Sequence, residues 1–465
     1  MSYLSSNDTI CAVSTAHGMG AIALVRLSGS NAISITDKLF RPYSGHNALK
    51  ESMAHHAQLG KIMDGEELLD EVVVTLFAEP HSYTGQDVVE ISCHGSVFIQ
   101  KRLLELLVSQ GARLAQPGEF TFRAFMNGKM DLSQAEAVAD LIASNSDSTH
   151  QMAIKQMRGG FSGKISELRA RLVHFASLIE LELDFSEEDV EFADRKDLKK
   201  LLKAIHKEIE SLKSSFALGN VIKQGIPVAI AGKTNVGKST LLNALLNEER
   251  ALVSEIPGTT RDAIEDTISL EGVNFRFIDT AGLRLTEDTV ETMGIGRTYE
   301  KMNLAWIVLY VFDINEVTEE EIDESINELR QQLHDPEKTI IPIANKTDML
   351  MEAPHSFQHL VELDTLFVSA KRNENINLIT ERLLDAVQLH KLTDQTIVYN
   401  LRHFEALNNA AASIDAVSEG FKKNIPSDLI ATDIRQALHH LGTITGEVTN
   451  EEILGNIFSK FCIGK

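Results

Sequence analysis

A multidomain architecture, α/β with further α-helical parts, is what this sequence predicts, and three changes of texture along its 465 residues predict it. Up to about residue 125, short β-rich runs such as Ala21 to Val25 and Glu71 to Leu76 alternate with Gly- and Pro-containing turns, the pattern of an α+β domain. From about residue 130 apolar residues recur at steps of three and four, the period of a helix face. At Gly225-Ile226-Pro227 short apolar strands begin to alternate with helical segments, and after about residue 385 the purely helical texture returns.

Each element follows from local pattern. Ile165, Leu168, Leu172, Phe175 and Ile179 form one helical stripe; Leu198, Leu201, Leu202, Ile205, Ile209 and Leu212 form a second. The acidic run Glu187 to Glu191 between them predicts a solvated loop. Val228 to Ile230, Phe275 to Ile278, Trp306 to Phe312, Ile340 to Ala344 and Leu366 to Val368 read as strands. Their alternation with helices predicts a mostly parallel sheet covered on both faces. Leu401 to Val417 and Leu429 to Leu441 are helical again. The economical arrangement inserts the parallel-sheet domain into the helical one, so that helices before and after it pack together. Boundaries fall at 1–125, 126–221, 222–384 and 385–465.

Composition narrows the class. Hydrophobic residues at 43% and charged residues at 24% are ordinary for a soluble protein, and no apolar run approaches the roughly 20 residues of a membrane span. Met1 to Asp8 is polar and has no signal-peptide pattern, which predicts a cytoplasmic protein with no membrane partner. Cys11, Cys93 and Cys462 are too few for a disulfide framework and fit a reducing compartment. None of the 16 histidines has metal-ligand spacing. A net charge of −23 argues against a broad nucleic-acid surface, though not against a local basic patch or a partner that holds the nucleic acid.

The chemistry lies in the parallel-sheet region. Gly232-Lys233-Thr234-Asn235-Val236-Gly237-Lys238-Ser239 follows a strand and opens a helix, as a phosphate loop must. Lys238 is suited to the β- and γ-phosphates, and Ser239, with Thr240 beside it, to Mg²⁺ and phosphate. Asp279-Thr280-Ala281-Gly282 supplies a metal carboxylate and a γ-phosphate-sensing amide. Asn345-Lys346-Thr347-Asp348 follows a strand, and the Asp348 carboxylate can accept from the N1–H and 2-amino group of guanine. Ser369-Ala370-Lys371 completes the set. In this order the motifs predict a Ras-like G domain that binds and hydrolyses GTP. Gly258-Thr259-Thr260-Arg261-Asp262 lies where a switch loop belongs, and spacing leaves Thr259 and Thr260 both open as the second Mg²⁺ hydroxyl. After Gly282 comes Leu283, where many GTPases have a water-orienting glutamine. Arg261 or Arg284 in cis, or a monovalent cation held by Asn235, are the alternatives for neutralising charge.

At these residues the chain resembles the MnmE (TrmE) family of tRNA-modification GTPases. The resemblance extends to Ser82-Tyr83-Thr84-Gly85-Gln86-Asp87, Cys93-His94-Gly95, Pro117-Gly118-Glu119-Phe120, Arg123-Ala124-Phe125, Lys129-Met130-Asp131-Leu132 and the terminal Phe461-Cys462-Ile463-Gly464-Lys465. It implies an N-terminal folate-binding domain that also forms a homodimer, a helical domain and an inserted G domain. It further implies an FAD-protein partner of the MnmG type and tRNA as substrate. The implied reaction adds an aminomethyl or carboxymethylaminomethyl group to C5 of a wobble uridine, with the carbon from 5-formyl-tetrahydrofolate or a related folate. By the same resemblance Asn235, Ser254, the Ile256 carbonyl and Thr259 hold K⁺, within a loop Ser254-Glu255-Ile256-Pro257-Gly258 that borders the nucleotide. Ser239 and Thr260 hold Mg²⁺, and Glu291 orients the attacking water. Arg26, Glu90 and Lys129, with Lys465 nearby, match folate positions, and Cys462 is a thiol of the modification site or a packed one. Ser254 replaces a common threonine and Gln86 a common glutamate. A ribosome-assembly GTPase shares the nucleotide motifs, but the region after residue 385 offers no RNA-binding GXXG loop.

Overall fold

The computed structural model describes residues 8–43, 56–184, 195–250, 266–278, 302–333, 338–350, 357–387, 396–423 and 425–464. The acidic run Glu187 to Glu191 lies outside them. The chain forms two units, one of Met1–Ala143, Ala153–Lys207 and Ala406–Lys465, the other of Ser144–Met152 and Glu208–Glu405.

The first unit is built on a seven-stranded sheet of β1 (Ile10–Val13), β2 (Ile22–Ser28), β3 (Phe40–Pro42), β4 (Ala57–Asp64), β5 (Glu67–Phe77), β6 (Val88–His94) and β7 (Arg113–Leu114), in the order β3-β4-β5-β6-β2-β1-β7. Only the β1–β7 pair is parallel. Alternation along the strands sends Val25, Leu27, Val72, Val74, Val89 and Ile91 to one face. There they meet Ile35 of α1 (Ala32–Leu39) and Leu103, Leu106 and Leu107 of α2 (Val97–Ser109). On the opposite face Ile10 and Ala12 pack against Phe120 of α3 (Glu119–Met126).

In the same unit α4 (Leu132–Ala143) packs on α3; α5 (Asp147–Met157) follows it in the chain, its residues up to Met152 belonging to the second unit. Ile165, Leu168, Leu172, Phe175 and Ile179, all fully buried, form the inner stripe of α6 (Gly160–Asp184). This stripe faces helices that come later in the chain than the second unit's sheet. The rings of Phe175 and Phe421 meet edge to face at 6.0 Å, and α6 runs along Ser427–Thr445. The helix Arg195–Gln224, α7, precedes the second unit's sheet.

That sheet has six strands, β8 (Ile226–Ala231), β9 (Asp266–Leu270), β10 (Val273–Ile278), β11 (Ile307–Asp313), β12 (Thr339–Asn345) and β13 (Leu366–Phe367). Their order is β13-β12-β11-β8-β10-β9, parallel except for β9. Both faces are apolar, so strands such as β11 are buried at every residue, as a doubly covered parallel sheet requires. One face meets α8 (Lys238–Arg250) through Leu241, Leu242 and Leu245 and, through Ile376 and Ile379, the helix Ile376–Val387. The other meets α9 (Glu319–Gln332) and α10 (Phe357–Glu362) through Ile322, Ile326 and Leu360. The remaining helices are α11 (Ile376–Val387), α12 (Leu401–Lys423), α13 (Ser427–Thr445) and α14 (Glu451–Phe458).

A charged cluster fastens α3 to the chain's start. Arg123 Nη2 donates to Asp8 Oδ1 at 2.6 Å and to Glu119 Oε1 at 3.0 Å, while Arg113 reaches both acids. Burial by itself raises the pKa of both carboxyls, but the two guanidiniums outweigh it and hold Asp8 and Glu119 below the usual range. Arg123→Ala leaves Glu119, 3% exposed, short of a partner, and is expected to cost about 3 kcal/mol or more in urea unfolding. The stabilisation is fully present above the ordinary carboxylate range, about pH 4, and is lost as pH falls through the lowered folded values. The gap between wild type and variant should therefore close in acid.

Candidate nucleotide site and the Arg26–Glu90 pair

In an open α/β sheet, ligands sit beyond the carboxyl ends of the strands where the strand order reverses. Here β8 is flanked by β10 and β11, and the phosphate loop leaves β8 at Ala231 and enters α8 at Lys238. Asn235 takes a left-handed backbone, φ 62°, and is exposed. Gly237, φ 97°, has no room for a side chain: a Cβ there would lie 2.3 Å from Asn345 Nδ2. Lys238 Nζ curls onto the carbonyls of Gly232 (2.8 Å) and Lys233 (2.6 Å), and burial lowers its pKa. Ser239 and Thr240 are exposed in the first turn of α8, where backbone N–H groups lack intrahelical partners.

The end of β12 closes on this loop. Asn345, 2% exposed, donates from Nδ2 to the Val236 carbonyl at 2.8 Å and accepts at Oδ1 from the Ala370 N–H at 3.0 Å. One carboxamide thus joins the phosphate loop to Ser369-Ala370-Lys371. Asp348 Oδ1 accepts from the Ser369 hydroxyl at 2.8 Å, and this bond, helped by the charges of Arg372 and Lys371, holds its carboxyl below the usual range. Lys346, φ 66°, reaches Asp313 Oδ2 at 2.7 Å.

Asp313 is a member that sequence reasoning missed. It is 3% exposed, accepts from the N–H and Nδ2 of Asn315, and is paired with Lys346. Burial raises its pKa, and these partners more than reverse the effect. The available signal was an acid ending the otherwise apolar strand Ile307–Asp313. The structure brings together Asn235 to Thr240, Asn345 to Asp348 and Ser369 to Lys371. The remaining expected nucleotide positions, Ser254 to Thr260, Asp279 to Gly282 and Glu291, lie outside the described residues, as do Arg261, Leu283 and Arg284. Among the described residues no cluster of His, Cys, Asp and Glu has the makings of a metal site.

The expected folate residues lie in the first unit. Arg26 on β2 and Glu90 on β6 are cross-strand neighbours, joined from Nε at 2.8 Å and Nη2 at 2.7 Å to Oε1. The Arg26 guanidinium lies 5.5 Å from the Tyr83 ring centre and 5.7 Å from that of Phe120. Gln86 Oε1 accepts from Ser28 and Arg123, each at 3.1 Å. Lys129 is exposed and donates to the Pro80 carbonyl at 2.8 Å.

The C-terminal segment returns to this sheet. Phe458 and Phe461 are buried with Phe122 and Leu132, and the Gly118 N–H donates to the Cys462 carbonyl at 3.3 Å. Ser14 Oγ donates to the Gly464 carbonyl at 3.1 Å. Ser14 directly follows Val13, whose neighbour Ala12 pairs with Arg26, so the tail ends within two residues of the Arg26–Glu90 rung. The Cys462 side chain is exposed. Lys465 lies outside the described residues.

Comparison with known proteins accords with this geometry. Residues 9–129 match the family model for the GTP-binding protein TrmE N-terminus, and residues 132–462 match that for the MnmE helical domain. The tRNA modification GTPase MnmE of Flavobacterium psychrophilum is 51% identical over 462 residues, covering 99% of each chain. That of Cytophaga hutchinsonii is 52% identical, covering 98% of each, and that of Bacteroides fragilis strain YCH46 is 50% identical, covering 99% of this chain and 100% of its own. A chain matched from end to end at half identity, with its phosphate loop and Asn345 clamp in place, belongs to the MnmE family of tRNA modification GTPases.

Proposed function

We propose that this chain hydrolyses GTP to GDP and phosphate and couples that reaction to tRNA modification. The observation that carries the reading is the Asn345 carboxamide, which joins a phosphate loop to the Ser369–Lys371 loop beside a charged Asp348. Lys238, which among the described residues donates to two loop carbonyls, can exchange them for β- and γ-phosphate oxygens. Asp348, kept ionised, accepts from guanine, and Ser369 fixes its orientation. The first-turn amides of α8 receive phosphate.

Two metal ions belong to this reading. The Ser239 hydroxyl is exposed at the phosphate end of α8, and with Thr260 it would hold Mg²⁺, which neutralises charge on the β- and γ-oxygens. The exposed Asn235 carboxamide, with Ser254, the Ile256 carbonyl and Thr259, would hold K⁺, which would supply the positive charge in place of an arginine such as Arg261 or Arg284. Glu291 orients the attacking water. Asp279 and Gly282 sense the γ-phosphate.

In the N-terminal part, residues 1–125, Arg26, Glu90 and Lys129 with Lys465 bind a folate such as 5-formyl-tetrahydrofolate, the source of a one-carbon unit. Arg26 beneath Tyr83 fits a flat, anionic ligand, because its guanidinium already lies beside an aromatic face. The protein acts as a homodimer with an FAD-containing MnmG-type partner on the wobble uridine of tRNA, in the cytoplasm. An acidic chain is compatible with tRNA if the partner carries most of the phosphate contacts. The helical part spans 126–221 and 385–465, and the G domain 222–384.

Three outcomes test this reading. Replacing Na⁺ by K⁺ should raise GTP turnover several-fold, since offsetting transition-state charge lowers the barrier; equal rates would return the charge-neutralising role to Arg261 or Arg284. Glu291→Ala should leave GTP affinity nearly unchanged and cut kcat by about a hundredfold or more, as loss of a transition-state interaction does. Stopped turnover with normal nucleotide-binding titrations is the expected signature. Cys462→Ser changes volume little on an exposed side chain, so folding and GTP turnover should survive while wobble-uridine modification falls. Nucleoside analysis of tRNA beside a phosphate-release assay separates the two, and normal modification would remove Cys462 from the modification chemistry.

A further inference from the structure

Between the two switch segments the chain makes one hairpin. β9 begins at Asp266, shortly after Thr260, and β10 ends at Ile278, immediately before Asp279. Any shift of the hairpin therefore shifts the points from which both nucleotide-sensing segments depart. The hairpin is stiff at its tip: Leu270 pairs with Val273, and Glu271 and Gly272, φ 45° and 79°, form the two-residue turn with two left-handed positions that matches strand twist.

That tip is held by residues from much earlier in the chain. Ser146 and Thr149 cap α5 reciprocally, the Ser146 N–H donating to Thr149 Oγ1 at 3.2 Å and the Thr149 N–H to Ser146 Oγ at 3.3 Å. The next first-turn amide, that of Ser148, has no carbonyl of its own helix to reach, and it donates to the Gly272 carbonyl at 3.0 Å. One residue before the cap, Asn145 Oδ1 accepts from Asn274 Nδ2 at 2.8 Å. Asn274 lies on β10 and is 8% exposed, whereas Asn145 is exposed. Gly272 sits so close that a Cβ there would lie 2.6 Å from Asp147 Cβ. All these residues belong to the unit of Ser144–Met152 and Glu208–Glu405.

We infer that Asn145, acting through Asn274, is a positioning residue for GTP hydrolysis: it fixes the β9–β10 hairpin and so sets where the segments carrying Thr260 and Asp279 begin. The inference rests on the GTPase reading above. It assigns part of the control of turnover to a segment outside the nucleotide motifs, 129 residues before its partner in sequence. It also separates two properties. GDP is held by the phosphate loop and the end of β12, neither of which the Asn145–Asn274 bond touches. Hydrolysis needs Asp279 and the switch loop in register as well.

The test uses the full-length protein with Asn145→Ala, Asn145→Asp, Asn274→Ala and the Asn145→Ala/Asn274→Ala double variant. Asn145→Ala should lower kcat about fivefold, the factor expected for losing one hydrogen bond. GDP affinity should stay at the wild-type value, while the thermal midpoint falls slightly because Asn274, 8% exposed, loses an acceptor. Asn145→Asp keeps an accepting oxygen for Asn274 and should retain the wild-type kcat. The double variant should be no slower than Asn145→Ala alone, because the pair acts as one unit. A wild-type kcat in Asn145→Ala would overturn the inference and leave the GTPase reading standing. Additive losses in the double variant, or a parallel loss of GDP affinity, would also overturn it. A wild-type protein that turned over no GTP would remove both.

Discussion

The second unit depends on one buried carboxamide. Asn345 comes at the end of β12, where the sheet stops providing backbone partners, and its two polar atoms are committed in opposite directions, to the Val236 carbonyl and the Ala370 N–H. Each loop leaves one backbone group for the side chain to meet: the Val236 carbonyl in the loop after β8, and the Ala370 N–H in the turn between β13 and α11, beside the Ser369–Glu374 backbone bridge. A buried amide that meets both needs costs little, while one that lost either partner would leave an unsatisfied group worth about 1–3 kcal/mol. The nearby order follows from this bridge. Gly237 must lack a side chain because Asn345 Nδ2 occupies that space, and Ser369, just before the accepted Ala370, is brought into reach of Asp348.

Charge is organised in the same economical way. Buried or half-buried charges are arranged as pairs, whether or not the sequence marks them as ligand-binding. Arg26 is matched by Glu90, Lys346 by Asp313, and Arg123 by Asp8 and Glu119. A ligand entering such a place exchanges partners instead of quenching a bare charge, so binding there reports a difference between two well-solvated or well-paired states. Lys238, held by two neutral carbonyls, is the contrasting case: an arriving phosphate offers it a full negative charge in place of two dipoles.

Legibility in the sequence followed distance along the chain. The strands of the parallel sheet were readable because both faces are covered, which makes each an unbroken apolar run such as Ile307–Asp313. The helix at Lys238 and the phosphate loop were readable because that chemistry needs contiguous residues. The stripe of α6 predicted burial residue by residue, from Ile165 to Ile179. What was not readable is long-range pairing of single polar groups. Nothing local to Asn345 says that its partners are Val236 and Ala370, and nothing near Asn145 points to Asn274. Asp313 carried a faint signal as an acid closing an apolar strand, but its partner Lys346 had been read only as part of a nucleotide motif.

The Ser14–Gly464 hydrogen bond joins residues 450 positions apart, and the Phe122–Phe458 contact at 5.3 Å belongs to the same closure. A ribosome adds about 5–20 residues each second, so the N-terminal sheet and α3 exist for tens of seconds before their last partners have been made. During that interval Phe122 and the Gly118 N–H lack the segment that covers them in the finished protein. Residues 458–464 thus complete a part of the fold that is translated long before them. A chain without residues 458–464 would keep its nucleotide motifs whole while Phe122 and the Gly118 N–H lost these partners.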